Sequence, residues 1–386
     1  MQVQEILAST NLQAREYQER IVQKVVDMFL GRHTDMRGVL KPAHKSVMIE
    51  SPTGSGKTSM ALLAAKMMVE EVAQQGGKPL MIVWVAMRRN LLTQAYNEML
   101  DKNINIENIH FISMFEKTPD CFAERSKYQV LMIVDESQHD AASSMVHLHT
   151  IFEPEYVLGM TATPFRTDRA KLCFDAIVKD AGIHQLIQAG YLSKYHHYTI
   201  NDWSVDNVAK HYLLEPERWG RSVVYFLTHE ECLKFASIIR SGGITIEVVT
   251  GSSDVEAQLA SFRKGNTQIL VNCMKLTEGF NDPALRTAFV RDSGKGTTIQ
   301  MAGRAFRKFP DVPYKQVVQS KDTDWVMHKT AMPAMQFQWS EGSWRSLTVN
   351  PRIEEISSIC KMAIANTKVE LPKFIGKEKK RVFGRR

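Results

Sequence analysis

The stretch Ser51-Pro-Thr-Gly-Ser-Gly-Lys57-Thr58 follows an apolar run that ends at Ile49 and precedes a long apolar segment from Ser59 to Ala73. This order predicts a strand, a glycine-rich turn and a helix. Such a turn presents backbone N–H groups at a helix N-terminus, where the helix dipole adds partial positive charge, so it can bind phosphates. Lys57 is then expected to reach the outer phosphates and Thr58 to hold Mg²⁺. The alternative is an ordinary strand-to-helix turn, because the generic pattern begins with glycine and this chain has Ser51.

Length and composition describe a globular chain. Its 386 residues, 44% of them hydrophobic, suit two or three domains with packed cores. Neither an apolar run of about 18 residues nor a secretory signal is present in the sequence, so no membrane span is expected. The five cysteines lie far apart without a C-x-x-C pair, which argues against a zinc ribbon or a disulfide framework and fits a reducing compartment. These features predict a cytoplasmic protein.

The net charge of +7 is concentrated at the C-terminus. From Lys373 to Arg386 there are seven basic residues and one acidic residue, a net +6. A terminal basic run can contact a phosphate backbone, and it can equally be a solvated, disordered tail. The charge of the tail therefore does not establish nucleic-acid binding by itself.

Short apolar runs alternate with helical segments in the first half of the chain. Continuous apolar runs are typical of strands buried on both faces, and their alternation with helices predicts a parallel, doubly wound sheet. The predicted strands are Ser46–Ile49, Leu80–Ala86, Ile109–Met114, Val130–Val134 and Tyr156–Met160.

The same alternation restarts at Ser222–Phe226 and runs to a helix at Ile299–Arg307, without a second phosphate turn. Beyond it, alternating residues around Glu341-Gly342 predict a hairpin, followed by a helix at Glu354–Ala365 and the basic tail. Two hairpin tryptophans, Trp339 and Trp344, could stack on a base, although packing of a small accessory layer is the favoured interpretation. The predicted domains are 1–194 and 221–324, joined by a crossover linker at 195–220 and followed by an extension at 325–386.

Two adjacent carboxylates at the end of a predicted strand are expected to form the second part of the nucleotide site. The apolar strand Val130–Val134 runs into Asp135-Glu136-Ser137-Gln138. Asp135 can coordinate Mg²⁺ at the strand end, and Glu136 can polarise the attacking water. The alternative is a charged strand terminus without function.

The motifs together resemble those of the superfamily 2 helicases and translocases of the DExH/D type. The stretches that carry the resemblance occur in the family's order over about residues 12–310: LQAREYQ, SPTGSGKT, WVAMRRNLLTQ, HFISMF, DESQ, GMTATPFR, VVYFLTHEEC, ILVNCMKLTEGFNDP and QMAGRAFR. The resemblance implies an α/β fold with two tandem RecA-like parallel-sheet domains and a small C-terminal extension. It also accounts for Ser51, since SPTGSGKT is the family's form of the phosphate loop.

The resemblance implies roles for individual residues. The catalytic set is Lys57, Asp135, Glu136, Gln300, Arg304 and Arg307, in which Gln300 orients the water and the two arginines, three apart on one helix, reach the γ-phosphate. ATP is contacted by Arg15 and Gln18 at adenine, by Thr53, Gly54, Ser55, Gly56, Lys57 and Thr58 in the phosphate loop, and by Gly279, Asn281 and Asp282 of the second domain. Thr58 and Asp135 hold Mg²⁺. Nucleic acid is contacted by Arg88, Arg89, Gln94, Ser113, Thr163 and Thr277.

Two positions depart from the family pattern. Gln138 stands where the family usually has Asp or His, a residue that links the two domains. Asn281 stands where the family has Asp, and Asp282 follows, so the ribose contact could fall to either. Neither departure removes the hydrolytic carboxylates or the arginines.

The expected function is that of an ATP- and Mg²⁺-dependent nucleic-acid helicase or translocase, acting as a monomer. The stretches GMTATPFRTD and TEGF look most like the DNA-directed UvsW- and XPB-like branch, which implies DNA unwinding or branch migration with 3′ to 5′ polarity. An RNA helicase, which would contact 2′-hydroxyls, remains an alternative. A nucleotide-gated clamp that remodels nucleic acid without unwinding it is another. The compact length, without accessory domains, suggests a phage or mobile-element protein.

Overall fold

The computed structural model describes residues 1–137, 143–164, 174–251, 253–273, 276, 280, 282–347, 359–360 and 362. Within these ranges, no helix is long and apolar enough to cross a membrane. Several predicted features lie outside the described residues: Gln138, Thr277, Gly279, Asn281 and most of the predicted helix Glu354–Ala365.

The first domain is a six-stranded, fully parallel sheet with helices on both faces. Its strands are β1 (Ser46–Glu50), β2 (Leu80–Ala86), β3 (Ile109–Ser113), β4 (Gln129–Asp135), β5 (Tyr156–Thr161) and β6 (Ala176–Val178), in the order β3-β2-β4-β5-β1-β6. Its helices are α1 (Val3–Leu7), α2 (Glu16–Phe29), α3 (Lys57–Gln74), α4 (Arg89–Asp101), α5 (Ser143–Phe152) and α6 (Ile183–Gln188). Every residue of β2 is buried, as expected for a strand covered on both faces. The strands predicted from the apolar runs are confirmed.

The second domain is built on an eight-stranded sheet. Its strands are β7 (Lys194–Ile200), β8 (Ser222–Tyr225), β9 (Ile246–Val249), β10 (Ile269–Asn272), β11 (Thr287–Phe289), β12 (Tyr314–Ser320), β13 (Met335–Ser340) and β14 (Ser343–Ser346), in the order β14-β13-β7-β12-β11-β8-β10-β9. Its helices are α7 (Val205–Leu214), α8 (Pro216–Trp219), α9 (His229–Ser241), α10 (Val255–Lys264) and α11 (Lys295–Gly303). All neighbouring strands are parallel except β13 and β14.

Residues 195–220 differ from the predicted linker. β7 lies inside the second sheet, between β12 and β13, and α7 packs on α9. The buried positions of β7 are Tyr195, His197, Tyr198 and Ile200. Aromatic rings and a histidine take the places that aliphatic side chains usually fill, so the sequence shows no apolar run here.

The predicted hairpin is confirmed as β13 and β14, which turn at Glu341-Gly342. It also extends the second sheet, because β13 pairs in parallel with β7. The indole N–H of Trp344 donates to Glu215 at 2.8 Å, and its ring centroid lies 5.0 Å from that of Tyr198. The hairpin tryptophan therefore packs against the domain, as in the accessory-layer interpretation.

Parallel pairing brings the ends of three strands of the first domain together. In register, Glu50 at the end of β1 lies beside Thr161 at the end of β5, and Asp135 at the end of β4 lies beside Met160. The loops that leave β1, β4 and β5 therefore emerge side by side at the carboxyl edge, where ligands bind in parallel α/β sheets.

Candidate nucleotide-binding cleft

The phosphate loop has the backbone that its glycines predict. Gly54 and Gly56 adopt φ values of 81° and 82°, in the left-handed region. A Cβ on Gly56 would also lie 2.4 Å from Nε2 of Gln18, so only glycine fits. Gly56 is the N-cap of α3 and provides no side-chain cap. The first N–H groups of α3 thus meet the general requirement for an anion site.

Ser51 braces the loop from inside. It is 1% exposed, and its hydroxyl donates to Oγ of Ser55 at 2.7 Å. Its backbone N–H donates to the carbonyl of Thr161 at 3.0 Å, which ties the loop to the end of β5. The serine in place of the first glycine therefore has a structural role.

Lys57 is folded back on the loop. Its ammonium donates to the carbonyls of Ser51 at 3.2 Å and Pro52 at 3.4 Å. Burial lowers the pKa of Lys57, and the nearby carboxylates of Glu136 and Asp135 oppose that shift. A phosphate would replace two neutral acceptors with a charged one, which makes a stronger hydrogen bond.

The carboxylate pair lies at the end of β4. Glu136 has φ of 52°, a left-handed conformation that is rare for residues other than glycine and that recurs at functional sites. Its backbone N–H donates to Oδ1 of Asp135 at 3.0 Å. The next residue, Ser137, is fully buried, and its hydroxyl donates to the carbonyl of Met160 at 3.3 Å. The backbone on both sides of Glu136 is thereby fixed.

A cavity of about 440 Å³ brings most of the predicted catalytic residues together. The first domain contributes Thr53, Gly54, Gly56, Lys57, Thr58, Asp135 and Glu136, and the second contributes Phe280, Arg304 and Arg307. This volume is within the usual range for small-molecule sites. Thr58 and Asp135 line the same cavity and supply the oxygen ligands that Mg²⁺ prefers, so they fit the predicted metal.

Both arginines share one backbone acceptor. Nη1 of Arg304 donates to the carbonyl of Phe280 at 3.0 Å, and Nη1 of Arg307 donates to the same carbonyl at 3.2 Å. Arg307 also lies against the phosphate loop, since a Cβ on Gly54 would be 3.3 Å from its Cγ. Burial and the charge of Arg304 lower the pKa of Arg307, which still remains protonated at neutral pH. Two like charges lie close together here, with Arg304 buried and Arg307 half-buried, so an anion that binds between them would relieve their repulsion.

The structure places Gln300 at the domain interface. Its Nε2 donates to Oγ1 of Thr163 at 3.2 Å, and it does not line the nucleotide cavity. Thr163 is 6% exposed, and its N–H donates to Oγ1 of Thr161 at 3.0 Å. Gln300 and Thr163 therefore bridge the two domains, and neither lines the nucleotide cavity. The roles expected of Gln300 at the attacking water and of Thr163 at nucleic acid stay predictions.

The side chains of the predicted adenine contacts, Arg15 and Gln18, bind other parts of the protein. Oε1 of Gln18 accepts from the N–H of Arg15 at 2.9 Å, and its Nε2 donates to the carbonyl of Ser55 at 2.8 Å. The hydroxyl of Tyr17 donates to the same carbonyl at 2.6 Å, and the Arg15 guanidinium lies 4.9 Å from the ring of Tyr191. Neither Arg15 nor Gln18 lines the cavity. In this structure the segment holds the phosphate loop in place, and Tyr17 is a member of that network that the motif did not reveal.

Helix α4 forms a wall of the cavity that the motifs did not predict. The residues that line it are Leu91, Gln94, Asn97, Glu98, Asp101 and Lys102. Their spacing of three or four places them on one helix face, which was a readable signal in the sequence. Gln94, predicted to contact nucleic acid, is in this wall. Glu98 accepts a hydrogen bond from Ser59, and its charge attracts that of Arg307.

Asp282, one of the two residues to which the ribose contact could fall, has a structural position. It is 4% exposed, pairs with Nη1 of Arg221 at 3.3 Å and accepts from the N–H of Ala284 at 2.9 Å. It does not line the nucleotide cavity.

Three predicted nucleic-acid contacts lie at one edge of the first sheet. β2 and β3 are neighbours, with Ala86 beside Ser113 in register. Arg88 and Arg89 follow the end of β2 after one intervening residue, at the N-terminus of α4. The side chains of Arg88 and Ser113 are half-buried, and that of Arg89 is exposed. The structure therefore places these three near one another.

Comparisons with known proteins agree with this architecture. Residues 11–118 match the family described as type III restriction enzyme, res subunit. A 51.5 kDa protein of Lactococcus phage (isolate 7-9) is 21% identical over 332 residues, which cover 77% of this chain and 70% of that protein. The putative mitochondrial ATP-dependent helicase irc3 of Schizosaccharomyces pombe is 27% identical over 216 residues, 46% of this chain and 36% of that protein.

Solved structures show the same fold. The structure of S. cerevisiae Dbp5 bound to RNA and ADP BeF3 matches with a TM-score of 0.53 at 13% identity, over 94% of this chain and 99% of that chain. A Dbp5 variant bound to a Gle1 variant and IP6 matches with a TM-score of 0.53 at 13% identity, over 91% and 92% of the two chains. The predicted fold of two tandem RecA-like domains is confirmed.

Proposed function

We propose that this chain, a superfamily 2 helicase by its fold, motif order and relatives, hydrolyses ATP between its two domains and thereby moves along a nucleic-acid strand. The observation that carries the proposal is the shared cavity. Lys57, Thr58, Asp135 and Glu136 line it from one domain, and Arg304 and Arg307 line it from the other. A protein that only binds ATP, and does not hydrolyse it, needs neither a carboxylate pair nor cationic groups from a second domain.

The chemistry follows from the charges around the cavity. The N-terminus of α3 and Lys57 hold the phosphates, and Glu136 orients the attacking water and accepts its proton. Arg304 and Arg307 exchange the Phe280 carbonyl for the γ-phosphate, where they stabilise the charge that develops in the transition state. Mg²⁺ held by Thr58 and Asp135 would neutralise phosphate charge.

Hydrolysis is coupled to movement by cleft closure. The arginines reach the γ-phosphate only while the second domain lies against the phosphate loop, so ATP favours the closed arrangement and phosphate loss releases it. Arg88, Arg89 and Ser113 hold the strand on the first domain through its backbone. Contacts of this kind carry no sequence code, so binding should be non-specific and sensitive to salt.

DNA is the proposed substrate, with unwinding or branch migration in the 3′ to 5′ direction, on the strength of the motif stretches that look like the UvsW- and XPB-like branch. An RNA helicase is the second candidate, and the similarity to a structure of Dbp5 bound to RNA favours it. Contact with the 2′-hydroxyls of the substrate would distinguish an RNA helicase from a DNA helicase.

The test measures the ATPase rate with single-stranded DNA, duplex DNA, forked DNA and RNA. Lys57→Ala should abolish turnover, whereas Lys24→Ala, which removes an exposed lysine from α2, should not. If no nucleic acid stimulates the unmodified chain, the motor proposal fails. If RNA alone does, the DNA assignment fails. Stimulation without any strand displacement would identify a nucleotide-gated clamp.

A further inference from the structure

A second cavity of about 420 Å³ lies between the two domains, and the proposed hydrolysis does not use it. The first domain contributes Pro52, Thr163 and Lys179 to its walls, and the second contributes Lys295, Trp325 and Lys329. The cavity is nearly as large as the nucleotide cavity and, like it, is bounded by both domains.

The two cavities adjoin the same phosphate loop. Pro52 lines the second cavity, whereas the next residue, Thr53, lines the nucleotide cavity. The two domains also approach each other close to this part of the loop. Gln300 donates a hydrogen bond to Thr163, and a Cβ built on Gly303 would lie 3.4 Å from Cβ of Thr53. A molecule in the second cavity would therefore touch both domains beside the phosphate loop.

Trp325 offers a fixed aromatic surface in this cavity. Its indole N–H donates to Oγ1 of Thr330 at 2.9 Å, and its backbone carbonyl accepts from Nε2 of Gln319 at 3.1 Å. Both ends of the residue are thus held, so little conformational freedom would be lost when a planar ring stacks on the indole.

Two lysines provide positive charge at the same ring. Nζ of Lys295 lies over the Trp325 ring at 5.1 Å from its centroid, and Nζ of Lys329 lies over it at 5.6 Å. A base that stacks on the indole therefore displaces an ammonium group from the ring face. Among the described residues, no carboxylate forms an ion pair with either lysine, whereas Lys179 in the same wall pairs with Glu50. Lys295 and Lys329 therefore supply charge that an anion can neutralise.

We propose that this cavity is a second nucleotide site, in which a base stacks on Trp325 and its phosphate is held by Lys295 and Lys329. An aromatic platform beside cationic side chains is the combination that recognises a base and a phosphate together, without reading the sequence. The ligand has two possible sources, a free mononucleotide or one nucleotide of a single strand. Because it contacts both domains, it stabilises the closed cleft and raises the affinity for ATP, and ATP raises its affinity in turn. Only this coupling rests on the proposed function; the binding does not.

The test is equilibrium dialysis of the full chain with ADP. Two ADP per chain are expected, falling to one in Trp325→Ala and in the double variant Lys295→Glu/Lys329→Glu. The control, Lys264→Glu, reverses an exposed charge elsewhere on the second domain and should keep both sites. Equal melting temperatures of the four proteins would show that the folds are intact.

Whether the ligand is one nucleotide of a single strand is tested by measuring the binding of the oligonucleotide dT4 in the presence of saturating ADP. If the site takes a strand, one ADP binds in every variant, and the dissociation constant of dT4 rises about tenfold in the double variant but not in Lys264→Glu. Binding of one ADP, together with dT4 affinity that is independent of Trp325 and both lysines, would overturn the proposal. Neither readout needs turnover, so a chain that binds the second ligand but hydrolyses no ATP would refute only the proposed function.

Discussion

The two halves of the nucleotide cleft differ in how their polar groups are held. In the phosphate-loop half, the carbonyl of Ser55 accepts from both Tyr17 and Gln18, and Ser51 bonds across the loop to Ser55. In the arginine half, two guanidiniums bind a single carbonyl, that of Phe280. The backbone of the first half is thus fixed before the nucleotide arrives, and Lys57 is the side chain there that must leave its carbonyl acceptors. In the second half, both arginines must leave theirs to act. We therefore expect the arginine half to control hydrolysis.

The largest effect is expected when the first-domain half of the cleft keeps its shape but loses the carboxylate that accepts a proton. Glu136→Gln should lower ATP turnover by about 10²–10⁴-fold, because the amide cannot accept the proton of the attacking water. ATP binding should persist, since the phosphate loop is untouched. Glu153→Gln is a matched control, an exposed glutamate that also has positive φ. Steady-state turnover and ATP binding are the measurements. Loss of binding in Glu136→Gln would mean that this half is not pre-organised.

A second comparison concerns acid stability, which should be lower for the second domain. Burial lowers the pKa of His197 to about 4, while its ring contacts Oε1 of Gln319 at 3.0 Å. Between about pH 6.5 and 4 the unfolded chain binds a proton that the folded chain does not. The free energy of unfolding should therefore decrease by roughly 3 kcal/mol as the pH is lowered through this window.

The measurement is urea unfolding at pH 7 and pH 5 followed by tryptophan fluorescence. Five of the six tryptophans lie between residues 203 and 344, so the signal reports mainly on the second domain. His197→Gln should show a smaller difference between the two pH values than the unmodified chain. An unchanged difference would rule out His197 as the source of the acid sensitivity.

A smaller effect is expected from loosening the phosphate loop. Tyr17→Phe removes one of the two hydrogen bonds to the Ser55 carbonyl, which is worth about 1 kcal/mol. The KM for ATP should rise about fivefold with little change in kcat, because the loop binds ground state and transition state alike. Tyr96→Phe, at a tyrosine that is 46% exposed, serves as the control. An unchanged KM would mean that Gln18 alone holds the loop.

The smallest effect is expected at the hydrogen bond between the domains. Gln300→Ala removes the donor to Thr163 and should reduce nucleic-acid-stimulated turnover about threefold, with the unstimulated rate unchanged. The two rates measured side by side check this. A fall of about a hundredfold in the unstimulated rate would instead assign Gln300 to the attacking water, as the motif implied.

The parts of the site that contiguous residues build were predictable from the sequence. The loop from Ser51 to Thr58 and the strand that ends at Asp135 each carry their own geometry, because glycine positions and apolar runs fix the local backbone. The alternation of strands and helices likewise predicted a parallel sheet in each half of the chain, although β6, β7 and β12 were not among the predicted strands.

The parts that depend on tertiary pairing were not predictable. Gln18 was expected at adenine, yet its amide bonds to the backbone of Arg15 and Ser55. The Arg15 bond is a local capping contact at the start of α2, whereas the Ser55 bond depends on the packing of α2 on the loop. The residues of the α4 wall share one helix face, which the sequence shows, but the packing of α4 beside α3 decides that this face lines the cavity. The strand β7 was missed because its buried positions are aromatic or histidine, and pairing with β12 decides their burial.

The most direct test removes one arginine and compares ATP binding with ATP turnover. In Arg307→Ala, ATP binding should stay within a few fold of the unmodified chain, while nucleic-acid-stimulated hydrolysis should fall by about 10³-fold or more. Lys308→Ala, an exposed neighbour, should change neither. Turnover in Arg307→Ala close to that of the unmodified chain would contradict the claim that hydrolysis requires the second domain to close on the phosphate loop.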